Sequence, residues 1–341
     1  MDKIEKEDIQ IFKDKLLVTN PIVSIVIPSY NRKDIICKTI DSILNQECDF
    51  EFEIVISDDN SNDGVRSILT EYQNKSPEKF VLIYQKQNVG LGANWATAIK
   101  YCRAKYIANC DNDDYWHNKK KLQMQVDFLN SNPEYGVCHT YHRNFYKSKN
   151  RIIEYNFNNN DKITEPLYLA IFYLRGFSCC NSSIVYRKEA IDKYITIEDY
   201  IKYRFTIQDW NTWVILAYYT KFYCLPVSTT TVLIDNDSIT RNSDYNSLKK
   251  RITKEEETYK YVCSKLPDVL HYDANGHEIY LYSSMLSVAF KNIDFKTANV
   301  ISKKLKEIGY ETKKTKFSSN LIVFYIFCYL RKILVALKFS H

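Results

Sequence analysis

Glycine and proline are scarce, seven of each in 341 residues. That excludes a collagenous or low-complexity chain and disfavours chemistry built on glycine-rich phosphate loops. No two of the ten cysteines stand in C-x-x-C spacing, and adjacent Cys179 and Cys180 are poorly placed to bridge each other. They read as reduced thiols, most of them small core hydrophobes. The six histidines show no metal-ligand spacing: His139 and His142 sit three apart in an expected strand and would face opposite sides. Met1 to Lys15 is charged throughout, without a secretory pattern, so a cytoplasmic location is expected. Charge of one sign is not in large excess either. A net charge of +6 does not by itself argue for nucleic acid, and none is expected as a partner.

What is present is ordinary globular material, 45% hydrophobic and 26% charged, enough for one large domain plus an appendage or for two domains. Val23 to Pro28 is a β-branched run with little polar alternation, which suits a strand covered on both faces. Similar runs recur at 52–57, 80–84 and 105–109. Between them, helical spacing over 33–45, 65–72 and 93–104 predicts helices, with Gln87 to Gly92 as a turn. Strand and helix alternating on short connectors imply βαβ units and an open, mostly parallel sheet with helices on both faces. Ligands bind such sheets beyond the carboxyl ends of the strands. Further on we expect a helix after 119, a strand over 135–141, a loop or hairpin over 147–163, and a helix over 166–175. Then come a strand over 180–186 followed by a helix from Arg187, a helix over 208–219 and a strand over 222–234. The expected organisation is a charged, partly helical lead-in over 1–20 and an α/β domain over 21–244, with halves 21–118 and 119–244. A helical region over 245–341 follows, broken at Gly276 and Gly309.

Polar clusters follow the strand ends. After 105–109 come Asp111, Asp113 and Asp114 within four positions. Carboxylates that close repel one another unless a cation or protons neutralise them. Oxygen ligands without nearby His or Cys suit a hard divalent ion, Mg²⁺ or Mn²⁺. The plainer reading is an acidic turn capping the next helix. Asp58 to Gly64 imitates a calcium loop, but Thr70 stands where the bidentate Glu belongs, so that reading fails. Asp59 at a strand end can accept hydrogen bonds from a base or ribose, or can simply hold an Asx-rich turn.

Four segments appear in order: Val23-Ser-Ile-Val-Ile-Pro-Ser-Tyr-Asn-Arg32, Ile56-Ser-Asp-Asp-Asn-Ser61, Asn88-Val-Gly-Leu-Gly-Ala-Asn94 and Asp111-Asn-Asp-Asp114. Their spacing resembles glycosyltransferase family 2, inverting enzymes of the GT-A fold, over roughly 21–240. The resemblance implies a nucleoside-diphosphate-sugar donor, most often a UDP-sugar, and a saccharide or lipid-linked saccharide acceptor in surface-polysaccharide assembly. By position it implies that Pro28 and Tyr30 border the nucleobase, that Asp59 holds it, and that Asn94 belongs to the nucleotide-sugar site. Asp111 would contact ribose or metal, and Asp113 would ligate the metal with Asp114 in support. Gln208-Asp209-Trp210 resembles the family's acidic pair at a helix start, which makes Asp209 the general base; an N-cap Asp is the plainer alternative. Asn181, Ser182 and Ser183 resemble the acceptor-side segment. Trp210 could stack on a sugar, although core packing also suits it. Two departures stand out: Ala93 replaces an Arg common in the family, and Asp235 to Arg241 lacks a usual His. Arg241 or nearby amides are then candidates for the diphosphate.

Phe317 to Leu330 is apolar and uncharged, short of the roughly twenty residues a span needs. With Lys313, Lys314 and Lys316 before it and Arg331 and Lys338 within or after it, 317–339 reads as an amphipathic helix lying on a membrane. A peripheral position at the inner membrane face follows from that; packing on the protein's own core or an oligomer contact are the alternatives. Two competing functions remain at this point. A sugar-1-phosphate nucleotidyltransferase would need a Gly-rich loop where Pro28-Ser-Tyr-Asn-Arg32 stands. A non-catalytic nucleotide-binding or scaffold member would not need Asp111, Asp113 and Asp209.

Overall fold

The computed structural model describes residues 2–155, 179–234 and 245–328. Two compact units divide the chain, Met1–Asn236 and Asp237–His341.

The first unit is built on one sheet. Its centre is β3 (Val23–Ser29), β4 (Phe52–Asp58), β5 (Phe80–Gln85) and β6 (Tyr106–Asn109), in the order β5-β4-β3-β6 and all parallel. Every residue of these four strands is buried. The unbroken apolar runs therefore mark strands covered on both faces. Val23, Ile25 and Ile27 point one way and pack with Ile36, Ile40 and Ile43 of α1 (Ile36–Leu44) and with Val65 and Leu69 of α2 (Val65–Lys75). The opposite face carries α3 (Leu91–Ile99), nearly all of it buried. Truncating a residue such as Ile25 to Ala would cost ~2–5 kcal/mol.

Both flanks join the parallel centre through antiparallel pairs. The expected helical lead-in is instead a hairpin, β1 (Asp2–Glu5) and β2 (Ile9–Lys13), with β2 paired to β5. Ile9 and Ile11 alternate inward, a strand period that the surrounding charges mask. On the other flank, β6 pairs with β10 (Val185–Arg187), which pairs with β8 (Tyr135–Tyr146). β8 runs parallel to β11 (Lys221–Ile234), and β11 pairs with β7 (Tyr115–Trp116). The hairpin alternative for 147–163 holds as far as β9 (Arg151–Tyr155), antiparallel to β8; its remainder and the expected helix over 166–175 lie outside the described residues.

The helices of this half are α4 (Lys121–Ser131), α5 (Lys188–Tyr194), α6 (Ile197–Tyr203) and α7 (Gln208–Tyr219). Several boundaries differ from expectation: α1 begins at Ile36, not 33, and β8 runs on to Tyr146, past 141. The third helix begins at Leu91, not 93, and ends at Ile99. The strand expected over 180–186 is a 3-10 turn at Asn181–Ser183 followed by β10.

The second unit is helical: α8 (Tyr245–Lys265), α9 (Ala274–Asn292), α10 (Phe295–Glu307), α11 (Lys313–Phe317) and a further helix over 321–328. Gly309, at φ +78, does end a helical stretch, but Gly276 lies inside α9 and breaks nothing. Leu286, Phe290, Ile301, Leu305 and Phe324 form its core. Leu321, Ile322, Val323, Tyr325 and Ile326 remain exposed. Among the described residues, no helix is long and apolar enough to cross a membrane. The expected tail beyond 328 lies outside the described residues.

Candidate active site

The parallel strands β3, β4 and β6 end on one edge, and the loops leaving them are tied together there. Asn31, at φ 49, tolerates the left-handed conformation because its short amide bonds locally. Its N–H donates to Ser61 Oγ at 2.9 Å, and its Oδ1 accepts from the Asn62 N–H at 3.0 Å. The Lys33 N–H donates to Asp63 at 2.8 Å. Buried Asp58 pairs with Arg66 and accepts from the Ser61 N–H and hydroxyl. The clasp leaves Tyr30 46% exposed at the rim, while Pro28 is buried within β3.

Asp59 joins the next loop. Its N–H donates to Ser29 O at 2.8 Å, and its carboxylate accepts from the Val89 and Gly90 N–H groups at 2.7 and 2.9 Å. Burial pushes its pKa up, opposed by those two amides. Asn94, at the start of α3, donates to Ser57 O at 2.7 Å and accepts from Ser57 Oγ at 2.6 Å. Fully engaged and buried, its side chain ties strand ends together behind the rim.

The acidic turn is held as closely. Thr39 Oγ1, from α1, donates to the Asn112 and Asp114 carbonyls at 3.2 and 2.7 Å. Ser182 Oγ accepts from the Asp111 N–H at 2.9 Å and donates to Asp114 Oδ2 at 2.6 Å. Asn181 Nδ2 donates to Asp111 Oδ1 at 2.9 Å and accepts, through its Oδ1, from Asn109 Nδ2 at 2.9 Å. The three aspartates thus divide. Asp114 is buried and also accepts from the Leu233 N–H at 3.3 Å. Asp111 is half-buried. Asp113 is half-exposed, with Arg32 Nε 3.4 Å from its Oδ2.

Charge is crowded here. Burial first, then Asp113, and also Asp209 push the Asp111 carboxyl up to about 7, opposed by Asn181. Asp114 is raised by burial, Asp111 and Asp113. Asp209, at the start of α7, is raised by burial and opposed by the N–H of Trp210, which donates to its Oδ1 at 2.8 Å. Asp209 therefore stands within electrostatic reach of Asp111, although 98 positions separate them in the chain.

A glycine sets that approach. A Cβ on Gly92 would stand 2.3 Å from Phe205 O, so only glycine lets α3 meet the segment leading into α7. Trp95 of α3 packs on Tyr200 of α6 at 5.4 Å between ring centroids, closing the same contact.

The donor set would suit a hard divalent cation: Asp111 and Asp113 offer carboxylate oxygens whose mutual repulsion a cation would relieve. Among the described residues no group of three or more His, Cys, Asp or Glu is gathered to hold a metal. Two carboxylates are nevertheless what Mg²⁺ takes when substrate phosphates complete its shell.

Ser182 is 0% exposed, and its hydroxyl is spent on the acidic turn. Asn181 is likewise buried, bridging Asn109 to Asp111. Both support the aspartates. Trp210 is buried, which favours packing over sugar stacking. Arg241 lies outside the described residues. Sequence reasoning missed Arg32, Thr39 and Gly92. Arg32 was within reach, in the same run as Pro28 and Tyr30; Thr39 and Gly92 act through contacts that spacing does not encode.

With this geometry in place, comparison with known proteins is informative. The sequence profile of Glycosyl transferase family 2 matches residues 24–195, about half of the chain. TuaG of Bacillus subtilis, a glycosyltransferase assigned to teichuronic acid biosynthesis, is 38% identical over 109 residues, 32% of this chain and 42% of TuaG. The chain spans 34% to 42% of the length of the first curated relatives it matches. Among solved structures, TarS of S. aureus bound to UDP-GlcNAc aligns with a TM-score of 0.52 at 15% identity, over 87% of this chain and 90% of that one. The mannosyltransferase PcManGT of Pyrobaculum calidifontis, with GDP-Man and Mn²⁺, aligns with a TM-score of 0.52 at 15% identity, over 90% and 87%. At that identity the likeness speaks for the fold alone.

Proposed function

This chain belongs to glycosyl transferase family 2 and has the GT-A fold, and from that premise we propose that it is an inverting, metal-dependent transferase. It moves a sugar from a nucleoside-diphosphate sugar, a UDP-sugar foremost, to a saccharide or lipid-linked saccharide in surface-polysaccharide assembly. The observation that carries the reading is the acidic turn after β6, where Ser182 and Asn181 hold Asp111 beside Asp113 at the carboxyl edge of the parallel sheet. A base must face the donor's metal site without joining it.

Asp111 and Asp113 would hold Mn²⁺ or Mg²⁺, which when bound supplies Lewis-acid neutralisation of the departing diphosphate. Tyr30 and Pro28 border the base, and the remaining lone pairs of Asp59 accept from it. Arg32, released from Asp113, is placed to meet a phosphate oxygen. Asp209 takes the proton from the acceptor hydroxyl as its oxygen bonds to the anomeric carbon. The sugar–phosphate bond breaks, and its electron pair leaves on the nucleotide. A carboxylate with a raised pKa is a better base for that task than an ordinary one. The UDP-GlcNAc bound by TarS supports the donor class, the Mn²⁺ of PcManGT supports the cation, and TuaG supports the polymer class.

The exposed Leu321, Ile322, Val323, Tyr325 and Ile326, following the Lys313, Lys314 and Lys316 run, support peripheral contact with an anionic membrane at the cytoplasmic face. Liposome co-sedimentation of Ile322→Glu against the full-length wild type tests it; equal binding would remove the contact.

The reading as a whole is tested by incubating the full-length protein with nucleotide sugars and Mn²⁺ and measuring released UDP or GDP. Metal-dependent release, abolished in Asp113→Asn, is expected. Release that survives in Asp113→Asn would sink the metal site, and pyrophosphate formed from a sugar phosphate and a nucleoside triphosphate would replace the transferase with a nucleotidyltransferase.

A further inference from the structure

The second unit holds an open cavity whose walls take no residue from the acidic turn and combine hydroxyl and lysine side chains with apolar surface. It measures about 460 Å³, and its walls include Tyr280, Ser283, Ser284 and Ser287 of α9 with Lys313 and Lys314. The four α9 positions follow i, i+3, i+4, i+7 spacing, which puts them on one helix face. A helix packing on a core presents apolar residues at that spacing; α9 presents hydroxyls.

The hydroxyls are ordered by main-chain carbonyls of the preceding turn and by a lysine. Lys314 Nζ donates to Ser287 Oγ at 2.9 Å, Ser287 Oγ donates to Ser283 O at 2.9 Å, and Ser283 Oγ donates to Tyr280 O at 3.1 Å. Lys313 makes no ion pair among the described residues. The neighbouring Glu311 lies instead 3.9 and 3.8 Å from Lys306 and Lys316. The surrounding charge is unbalanced: residues 291–328 carry eight Lys against Asp294, Glu307 and Glu311.

We propose that this cavity binds a phosphate ester, with Lys313, Lys314 and Ser284 donating to its oxygens and the tyrosine rings against its organic part. Lys313 and Lys314 line the cavity together with serines, and no arginine is among its walls. That matches a compact tetrahedral anion better than a planar carboxylate, which arginine pairs side by side. The site deepens the acceptor reading above and rests on it only for the source of the phosphate, either an anionic lipid headgroup or a soluble sugar phosphate.

The test uses full-length protein, glycerol 1-phosphate as the soluble probe in calorimetry, and vesicles of phosphatidylglycerol or phosphatidylcholine in co-sedimentation. Lys313→Gln removes one donor, and Ser284→Leu fills the cavity. Wild type should bind glycerol 1-phosphate, and each variant should bind it roughly tenfold more weakly, the loss of one charge-assisted bond or of access. If sedimentation with phosphatidylglycerol falls in parallel and glycerol 1-phosphate competes for it, the phosphate is a headgroup; if sedimentation is unchanged, it is soluble. Wild type binding neither probe, or both variants binding like wild type, overturns the site. Nucleotide release from the donor, followed in the same samples, should be unchanged in both variants. Its absence in wild type would sink the transferase reading and leave the cavity result standing.

Discussion

Replacing Ser182 with alanine separates a supporting role from a substrate-facing one. The hydroxyl makes two bonds, to Asp114 Oδ2 at 2.6 Å and from the Asp111 N–H at 2.9 Å. Its side chain is fully buried, so water cannot replace either. A bond to a charged group contributes ~1.5–3 kcal/mol and a neutral one about 1 kcal/mol. Asp114 is pushed towards its protonated form by burial and by its neighbours, which trims the charged share. We therefore expect Ser182→Ala to cost about 2–3 kcal/mol. For a unit of this size that lowers its thermal transition by about 4–12 °C. The released Asp111 backbone should also weaken Mn²⁺-dependent UDP binding in calorimetry, while KM for an acceptor changes little. A variant with unchanged melting and UDP affinity but a raised acceptor KM would show that the hydroxyl faces the acceptor after all.

Asp209→Asn should abolish transfer and leave UDP affinity within about twofold; a tenfold loss, about 1.4 kcal/mol, would move Asp209 out of the base role. Asp111 gives a pH signature. Its folded pKa, about 7, lies above the unfolded value, so the metal-free protein loses stability as pH rises from roughly 4 to 7. The melting temperature should thus fall over that range, flatten in Asp111→Asn, and recover with Mn²⁺ and UDP; an identical profile in Asp111→Asn would remove Asp111 as the cause. Gly92→Ala would drive a Cβ into Phe205 O, so both melting temperature and donor turnover should drop. Wild-type values for both would show that α3 does not set the position of α7.

The central strands were legible in the sequence because a strand buried on both faces has to be apolar throughout, and Val23 to Ile27 is close to that limit. The helices packed on them repeat at Ile36, Ile40 and Ile43 for the same reason. The lead-in was not legible. β2, second from the edge of the sheet, buries only alternate residues, and its two inward isoleucines are set among charges that resemble a solvated helix. Gly276 misled because it stands in the first turn of α9, where a Cβ would come 2.3 Å from Asp273 Oδ2, so its small size admits that carboxylate and does not end the helix.

At the site, residue type was legible and orientation was not. The clustering of Asp111, Asp113 and Asp114 announces charge that something must offset. Which oxygen faces inward depends on Ser182 and Asn181, 68 or more positions away. Asn181 and Ser182 were placed by analogy on the acceptor side, yet both are spent on fixing the turn. That outcome has a physical basis. A carboxylate pair that is to bind a cation must be held rigid while still uncompensated, and the rigidity has to come from neutral donors, since a permanent cation would occupy the ligand oxygens itself. Asn181 and Ser182 meet that requirement for Asp111, and Ser182 also fixes the buried Asp114 behind the pair. Arg32, the one cation seen in contact with Asp113 among the described residues, sits at a loose 3.4 Å on a half-exposed carboxylate. A contact of that kind can be given up when a divalent ion and a diphosphate arrive together, whereas the buried neutral bonds behind it cannot.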